Sequence, residues 1–270
     1  MATSTSNAPP VRGRFDWSWR GGPAFLTPDG STVSMGGAAL SAPVLGGPVL
    51  GGPLAVARPW SCGFFALVLG ARRSFTVAEA GAFDWHSTYT TVPDAVHKQR
   101  YRGGELLLGV RHPAHGEPGD YRAAWRGQWF ELHTRGSGPP PAADGVTRIF
   151  DAFRITDTPL GMLARPRSVR QAQLEPIQVF KQLPGLGHLT VERPGAGQIE
   201  VPDYRGHPTR HGELWRQPLG EGATGRARSD ALVLATPTAI SRLVAGPGDI
   251  TDPDEVLAFL AGLDVTWEPS

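Results

Sequence analysis

The sequence predicts a β-rich α+β protein, built mainly from antiparallel sheets with a C-terminal helix packed on a sheet, in two tandem domains. Three observations carry this expectation. Short apolar runs alternate with polar residues at a period of two, as in "YRAAWR" from Tyr121 to Arg126. Glycine and proline, 35 and 26 of 270 residues, punctuate those runs, which reads as turns between strands and not as disorder. One stretch, "TDPDEVLAFLAGL", has the signals of a helix. Asp252 can cap it, Pro253 occupies the first helical position and Glu255 completes a capping box, while Val256, Leu257, Leu260 and Leu263 share one face.

Along the chain, residues 1–12 read as a disordered tail. "FDWSWR" sets Phe15, Trp17 and Trp19 on one strand face, and "AFLTPDGSTVSM" is a hairpin about a Pro-Asp-Gly turn. The twice-repeated Val-Leu-Gly-Gly-Pro at 44–53 fits neither helix nor strand and reads as an irregular loop or lid. "CGFFALVLG" is predicted as a buried strand, "RSFTVAEA" and "GELLLGVRHP" as further strands, and Tyr121–His133 as a hairpin. The Gly/Pro-rich stretch 134–145 is predicted as a linker between a β-rich domain at 13–133 and an α+β domain at 146–270. In the second half, "VTRIFDAFRIT" is predicted as a strand. "SVRQAQLEPIQVFKQL" reads as a short helix and then a strand, divided at Pro176. "GHLTVERP", "GQIEVPDY", "DALVLATP" and "DVTW" read as strands, and "TAISRLVAG" as a strand or helical turn.

Composition narrows the function. A net charge of +1 provides no global field for nucleic acid or a membrane surface. Lys98 and Lys181 are the two lysines among 26 basic residues; with abundant Ala, Gly and Pro this points to a GC-rich bacterial genome. Cys62 is the single cysteine, so no intrachain disulfide forms, and its apolar neighbours predict a buried thiol. No apolar leader or membrane-length run is present, and the expected location is cytoplasmic.

The stretch "FDWHSTYTTVPDAVHKQRYRGGE" concentrates the candidate chemistry. For an enzyme, the catalytic candidates are Asp84, His86, Tyr89 and Glu105: an Asp-x-His pair, sharing a face if on one strand, could orient an imidazole, and Ser87 or a tyrosine could be a proton donor or nucleophile. For a binding site, the candidates are Trp85, His86, Tyr89, Arg100, Tyr101 and Arg102. "HSTYTT" followed by "ELLLGVRHP" loosely resembles the ADP-ribosyltransferases, which have a Ser/Thr-rich strand and a later catalytic glutamate; the resemblance implies a site in the 84–105 stretch. The early-strand Arg or His and the Glu-x-Glu pair of that family have no counterpart here.

Neither metal nor cofactor is predicted. His207 and His211 sit among Gly206, Pro208 and Gly212, which oppose a helix, and four residues along a strand span about 13 Å. His112 and His115 lack a nearby third ligand. Lys98, Arg100, Arg102, Arg111, Arg122 and Arg126 are interleaved with acids, which disfavours nucleic acid. Three of four tyrosines precede an arginine, at 101, 121 and 204, and this reads as the buried-exposed alternation of hairpins. The leading expectation is a non-catalytic binding protein of accessory, adaptor or immunity type. Its partner would be another protein, met by the tryptophan-rich first half; a small-molecule ligand is the other candidate partner. The alternative is a transferase or hydrolase. The enzyme needs His86 or Glu105 in a concave pocket with a second polar group in reach, and the binding protein needs a contiguous apolar-aromatic patch.

Overall fold

The structure is a computed structural model that describes residues 24–36, 60–89, 93–112, 119–138, 141–183, 186–218, 230–244 and 253–270. The predicted tail, "FDWSWR", the Val-Leu-Gly-Gly-Pro repeat, His115 and Asp252 lie outside these residues. In chain order the elements begin β1 (Phe25–Leu26), β2 (Thr32–Gly36), β3 (Ser61–Val68), β4 (Ala71–Glu79), α1 (Ala82–Tyr89), β5 (Ala95–Tyr101), β6 (Gly104–Arg111), β7 (Asp120–Arg126) and β8 (Phe130–Ser137). They continue α2 (Ala143–Asp151), β9 (Phe153–Thr158), β10 (Gly161–Pro166), β11 (Ala172–Leu174), β12 (Gln178–Leu183) and β13 (Gly187–Glu192). The last are β14 (His207–Pro208), β15 (Glu213–Pro218), β16 (Asp230–Ala235), β17 (Ile240–Val244), α3 (Pro253–Ala261) and β18 (Asp264–Glu268). The chain is β-rich and its sheets are mostly antiparallel.

The large sheet has the order β14-β15-β16-β17-β13-β12-β3-β4-β8-β7-β6-β5, with β11 beside β12 on the edge of β3. This order is a palindrome: β5, β6, β7, β8, β4 and β3 are answered by β14, β15, β16, β17, β13 and β12. Its midpoint is the antiparallel pair β3–β12, where Gly63 stands opposite Gln178. The small sheet, β18-β2-β1-β10-β9, crosses the halves over. β9 of the first half pairs with β10 of the second, and β18 of the second pairs with β2 of the first. The sequence carries the same echo. Asp144, Val146, Phe150, Phe153 and Thr156 of α2–β9 recur 110 positions later as Asp254, Val256, Leu260, Leu263 and Thr266 of α3–β18.

One face of the large sheet forms the core. Phe64, Phe75, Val77, Ala123, Trp125 and Leu132 pack there with Val146, Ile149 and Phe150 of α2, Val256 and Leu260 of α3, and the small sheet. Each large side chain so buried contributes about 1.5–3 kcal/mol. Trp60, Trp125, Trp215 and Trp267 are buried, whereas Trp85 is exposed.

Several local expectations are corrected. "VTRIFD" is helical: Val146, Ile149 and Phe150 recur at helical spacing and face the core, and the strand begins only at Phe153. Ala172–Leu174 is a strand and not a helix, because it pairs with β3; Pro176 then separates it from β12. "GQIEVPDY" forms no strand, and a buried carboxylate takes the Gln198 and Ile199 N–H groups instead. β3 is buried on one side only, leaving Phe65 and Leu67 exposed. Of the stretch expected as a linker, Thr134–Ser137 lie in β8 and Ala143–Gly145 in α2.

An arginine-lined cleft as the candidate functional site

Strand alternation gives the large sheet a second face, opposite the core. The ladders set one continuous cross-strand row there: Gln178, Gly63, Thr76, His133, Ala124, Leu107 and Lys98. α1 lies on this face. Phe83 packs on Leu107 and Ala124, its ring stacked 6.3 Å from His133. In the other half, Ile199 covers Trp215, Val233 and Ile240 in the same manner. Each cover is held by a buried carboxylate. Glu131 accepts the N–H groups of Gly81 at 2.6 Å and Phe83 at 2.8 Å, and Glu192 accepts those of Gln198 at 3.2 Å and Ile199 at 2.7 Å. Between the covers, the strip above β3 and β12 is open.

The 84–105 stretch divides among three places. Asp84 and Glu105 do come together, on Arg126, at 2.9 and 3.5 Å; Lys98 also reaches Asp84, at 3.5 Å. Arg126 binds Glu131 as well. Burial opposes ionisation of Glu131, yet His133, the Gly81 N–H and Arg126 outweigh it and hold this carboxyl at about 2. His133 Nε2 lies 3.0 Å from Glu131 Oε2, but its N–H is not aligned on that oxygen as in a well-formed hydrogen bond. Tyr101 and Arg102 both bind Asp151, and burial with that carboxylate pushes the phenol up to about 12. Arg100 projects beside Glu105 on the exposed edge strand β5. The Asp-x-His expectation of a shared face is corrected: Asp84 and His86 sit in a helix, where residues two apart diverge. Tyr89 ends α1. Trp85 is exposed, edge-on to His86 at 5.1 Å.

His86 and Ser87 do reach concave surface, in two adjoining cavities. The larger, about 800 Å³, is lined by Arg72, Arg111, Arg122, Arg135, Ser74 and Ser137. The smaller, about 390 Å³, is lined by Gly63, Phe180, His86, His133, Gln178 and Gln198. Phe65, Ser74, Arg122 and Arg135 belong to both. Two of these four arginines are matched. Arg72 makes two 2.7 Å bonds to Glu175 while lying 3.8 Å over the Phe65 ring, and Arg111 binds Asp120 at 2.8 Å. Arg122 and Arg135 differ. They are direct cross-strand partners on β7 and β8, and among the described residues neither has a carboxylate within ion-pairing distance. Burial and the neighbouring Arg135 charge lower the pKa of Arg122, against the opposing effect of Asp120. Burial, Arg122 and His133 likewise lower that of His86, despite Glu131.

No family model, curated protein or solved structure matches this chain. Two arginines held side by side, with Asp120 nearby but ion-paired to Arg111, present a concave array of N–H donors suited to an oxyanion. Of the basic residues singled out in the sequence, Arg111 and Arg122 reach this cleft; Lys98, Arg100, Arg102 and Arg126 serve elsewhere. Arg72, Arg135, Phe65, Phe180 and Gly63 were missed. Arg135 stands opposite Arg122 because the hairpin turns at Gln128–Trp129, with the Gly127 N–H bonded to the Phe130 carbonyl; a turn set two residues earlier, at Arg126–Gly127, would have placed another residue there. Among the described residues no three His, Cys, Asp or Glu side chains group as metal ligands. Cys62 is buried, and burial raises its thiol pKa. No described helix is long and apolar enough to cross a membrane.

Proposed function

We propose that this is a binding protein whose recognition site is the cleft shared by the two cavities, and that its ligand presents an anionic group to Arg122 and Arg135. The observation that carries this reading is the facing arginine pair without carboxylate partners among the described residues. Like charges directly opposite across a ladder are destabilising, and a ligand oxyanion would reverse the sign of that contact. The reading keeps the expected binding role but transfers the contact from tryptophans, several of which are buried, to arginines. A thermal melt in sulfate against chloride at matched ionic strength tests it. Sulfate should raise the midpoint of wild type by several degrees and that of an Arg122→Gln/Arg135→Gln variant no more than chloride does. Equal responses of the two proteins would refute it.

A second reading, a hydrolase or transferase in the same cavity, has one observation in its favour. His86 lines the wall beside Arg122 with its imidazole pKa lowered, as a general base beside an anion site requires. Turnover of para-nitrophenyl phosphate that His86→Ala abolishes, with sulfate stabilisation retained, would favour the enzyme.

A further inference from the structure

Resting on that anion-binding reading, we infer that the ligand is a small phosphomonoester carrying a planar ring, with its phosphate between Arg122 and Arg135 and its ring on the floor formed by Gly63, Phe65 and Phe180. The two cavities share Arg122 and Arg135 as a common wall, so one compact molecule can occupy both. Two forked guanidinium groups balance the two charges of a phosphomonoester, whereas a single carboxylate would leave one arginine unmatched. The adjoining floor suits a flat apolar group. A Cβ at Gly63 would stand 3.0 Å from the Phe180 ring, so glycine keeps this strip level beside the aromatic side chains. Phe65 already carries the Arg72 guanidinium at 3.8 Å and remains partly exposed. Around the floor stand Thr76, His86, His133, Gln178 and Gln198, a rim of polar groups able to address the edge of a ring. A volume of about 390 Å³ falls in the range of small-ligand sites. A polyanion fits less well, because Asp120 and Glu175 flank the cleft and the net charge is +1.

Titration calorimetry on the full chain at fixed ionic strength tests this with phenyl phosphate, methyl phosphate and phenol. Phenyl phosphate should bind about tenfold tighter than methyl phosphate, the increment of one well-placed aromatic contact, and phenol should not bind measurably. Arg122→Gln/Arg135→Gln should weaken both phosphates by at least tenfold. Phe180→Ala should bring phenyl phosphate down to the affinity of methyl phosphate while leaving methyl phosphate unchanged. Phe180→Leu, which keeps the volume apolar without the ring, does the same duty if the alanine variant melts early. Equal affinity of the two phosphates would overturn the ring assignment and leave the anion site standing. Binding of neither phosphate would overturn both. Binding of a single-stranded oligonucleotide without binding of phenyl phosphate would overturn the small-ligand assignment and give the arginines to a polymer backbone.

Discussion

Glu131, buried on β8, accepts a 2.8 Å hydrogen bond from the backbone N–H of Phe83 and so ties the first turn of α1 to the sheet. The same carboxylate accepts the Gly81 N–H and binds Arg126, which in turn holds Asp84 and Glu105. One buried acid thereby anchors the helix that carries His86 to the cavity wall. Replacing it by glutamine keeps the shape but takes from Arg126 its one buried carboxylate, leaving it the more exposed Asp84 and Glu105. Glu131→Gln should destabilise the protein by about 3 kcal/mol, the scale of breaking a buried ion pair. Urea denaturation followed by tryptophan fluorescence checks this, and a loss below about 1 kcal/mol would show that α1 docks through Phe83 instead.

The pH dependence follows from the same residue. Its carboxyl titrates at about 2 in the folded chain, below the ordinary 4.5. The stabilisation is therefore complete above pH 4.5 and disappears as pH falls from there towards 2, a total of roughly 3 kcal/mol. Melting midpoints collected across that window should fall steeply for wild type and much less for Glu131→Gln.

The facing arginines predict a gain. Without added anion, Arg122→Gln should raise stability by roughly half a kcal/mol, because it removes a like-charge pair from directly opposite ladder positions. The gain should shrink as salt is added. A clear loss in low-salt denaturation would mean that Arg122 has a stabilising contact in the unliganded protein.

At the hairpin turn, Gly127 leaves room for Asp157. A Cβ at position 127 would lie 2.2 Å from Asp157 Oδ2, and Asp157 accepts the N–H groups of Trp129 at 2.7 Å and Phe130 at 3.0 Å. Gly127→Ala should displace that carboxylate and cost about 2 kcal/mol in unliganded donors. The adjacent exposed Gln128→Ala should be close to neutral in the same denaturation assay.

Strands were legible wherever alternation is local. β13 and β18 declare one apolar face in a few residues, and β6, β16 and the β7–β8 hairpin stand out as short apolar runs between turns. α2 was misread because a helical period ending at Phe150 runs within three residues into the strand beginning at Phe153, with no glycine between them. α1 was hidden for another reason. Phe83 is its one fully buried described side chain, and its anchor, Glu131, stands 48 residues away from Phe83 in sequence. The tyrosine-arginine phrase was a partial guide. At 121 the tyrosine is buried and the arginine takes the other face, half-buried; at 101 the phrase runs into a turn with Arg102 at φ 49°, and at 204 the tyrosine is exposed in a loop. The Tyr101 and Tyr204 carbonyls both accept an indole N–H, from Trp125 at 3.2 Å and Trp215 at 2.8 Å, but from strands that do not correspond in the palindrome. The better trace of the repeat was the Gly-Glu-Leu that opens β6 and recurs at β15. Arg122 and Arg135 come from one hairpin whose register depends on where it turns, and Phe180 arrives from the far half of the chain.

The crossed pairing of β9 with β10 and of β18 with β2 makes the small sheet a clasp between the halves. A chain severed at the Pro159–Leu160 turn would yield two fragments, each holding the strand that the other lacks. Neither could close its own small sheet in register, but mixed together they have every ladder partner needed to rebuild it. The cleft, which draws Phe65 from one fragment and Phe180 from the other, would exist only in the reassembled pair.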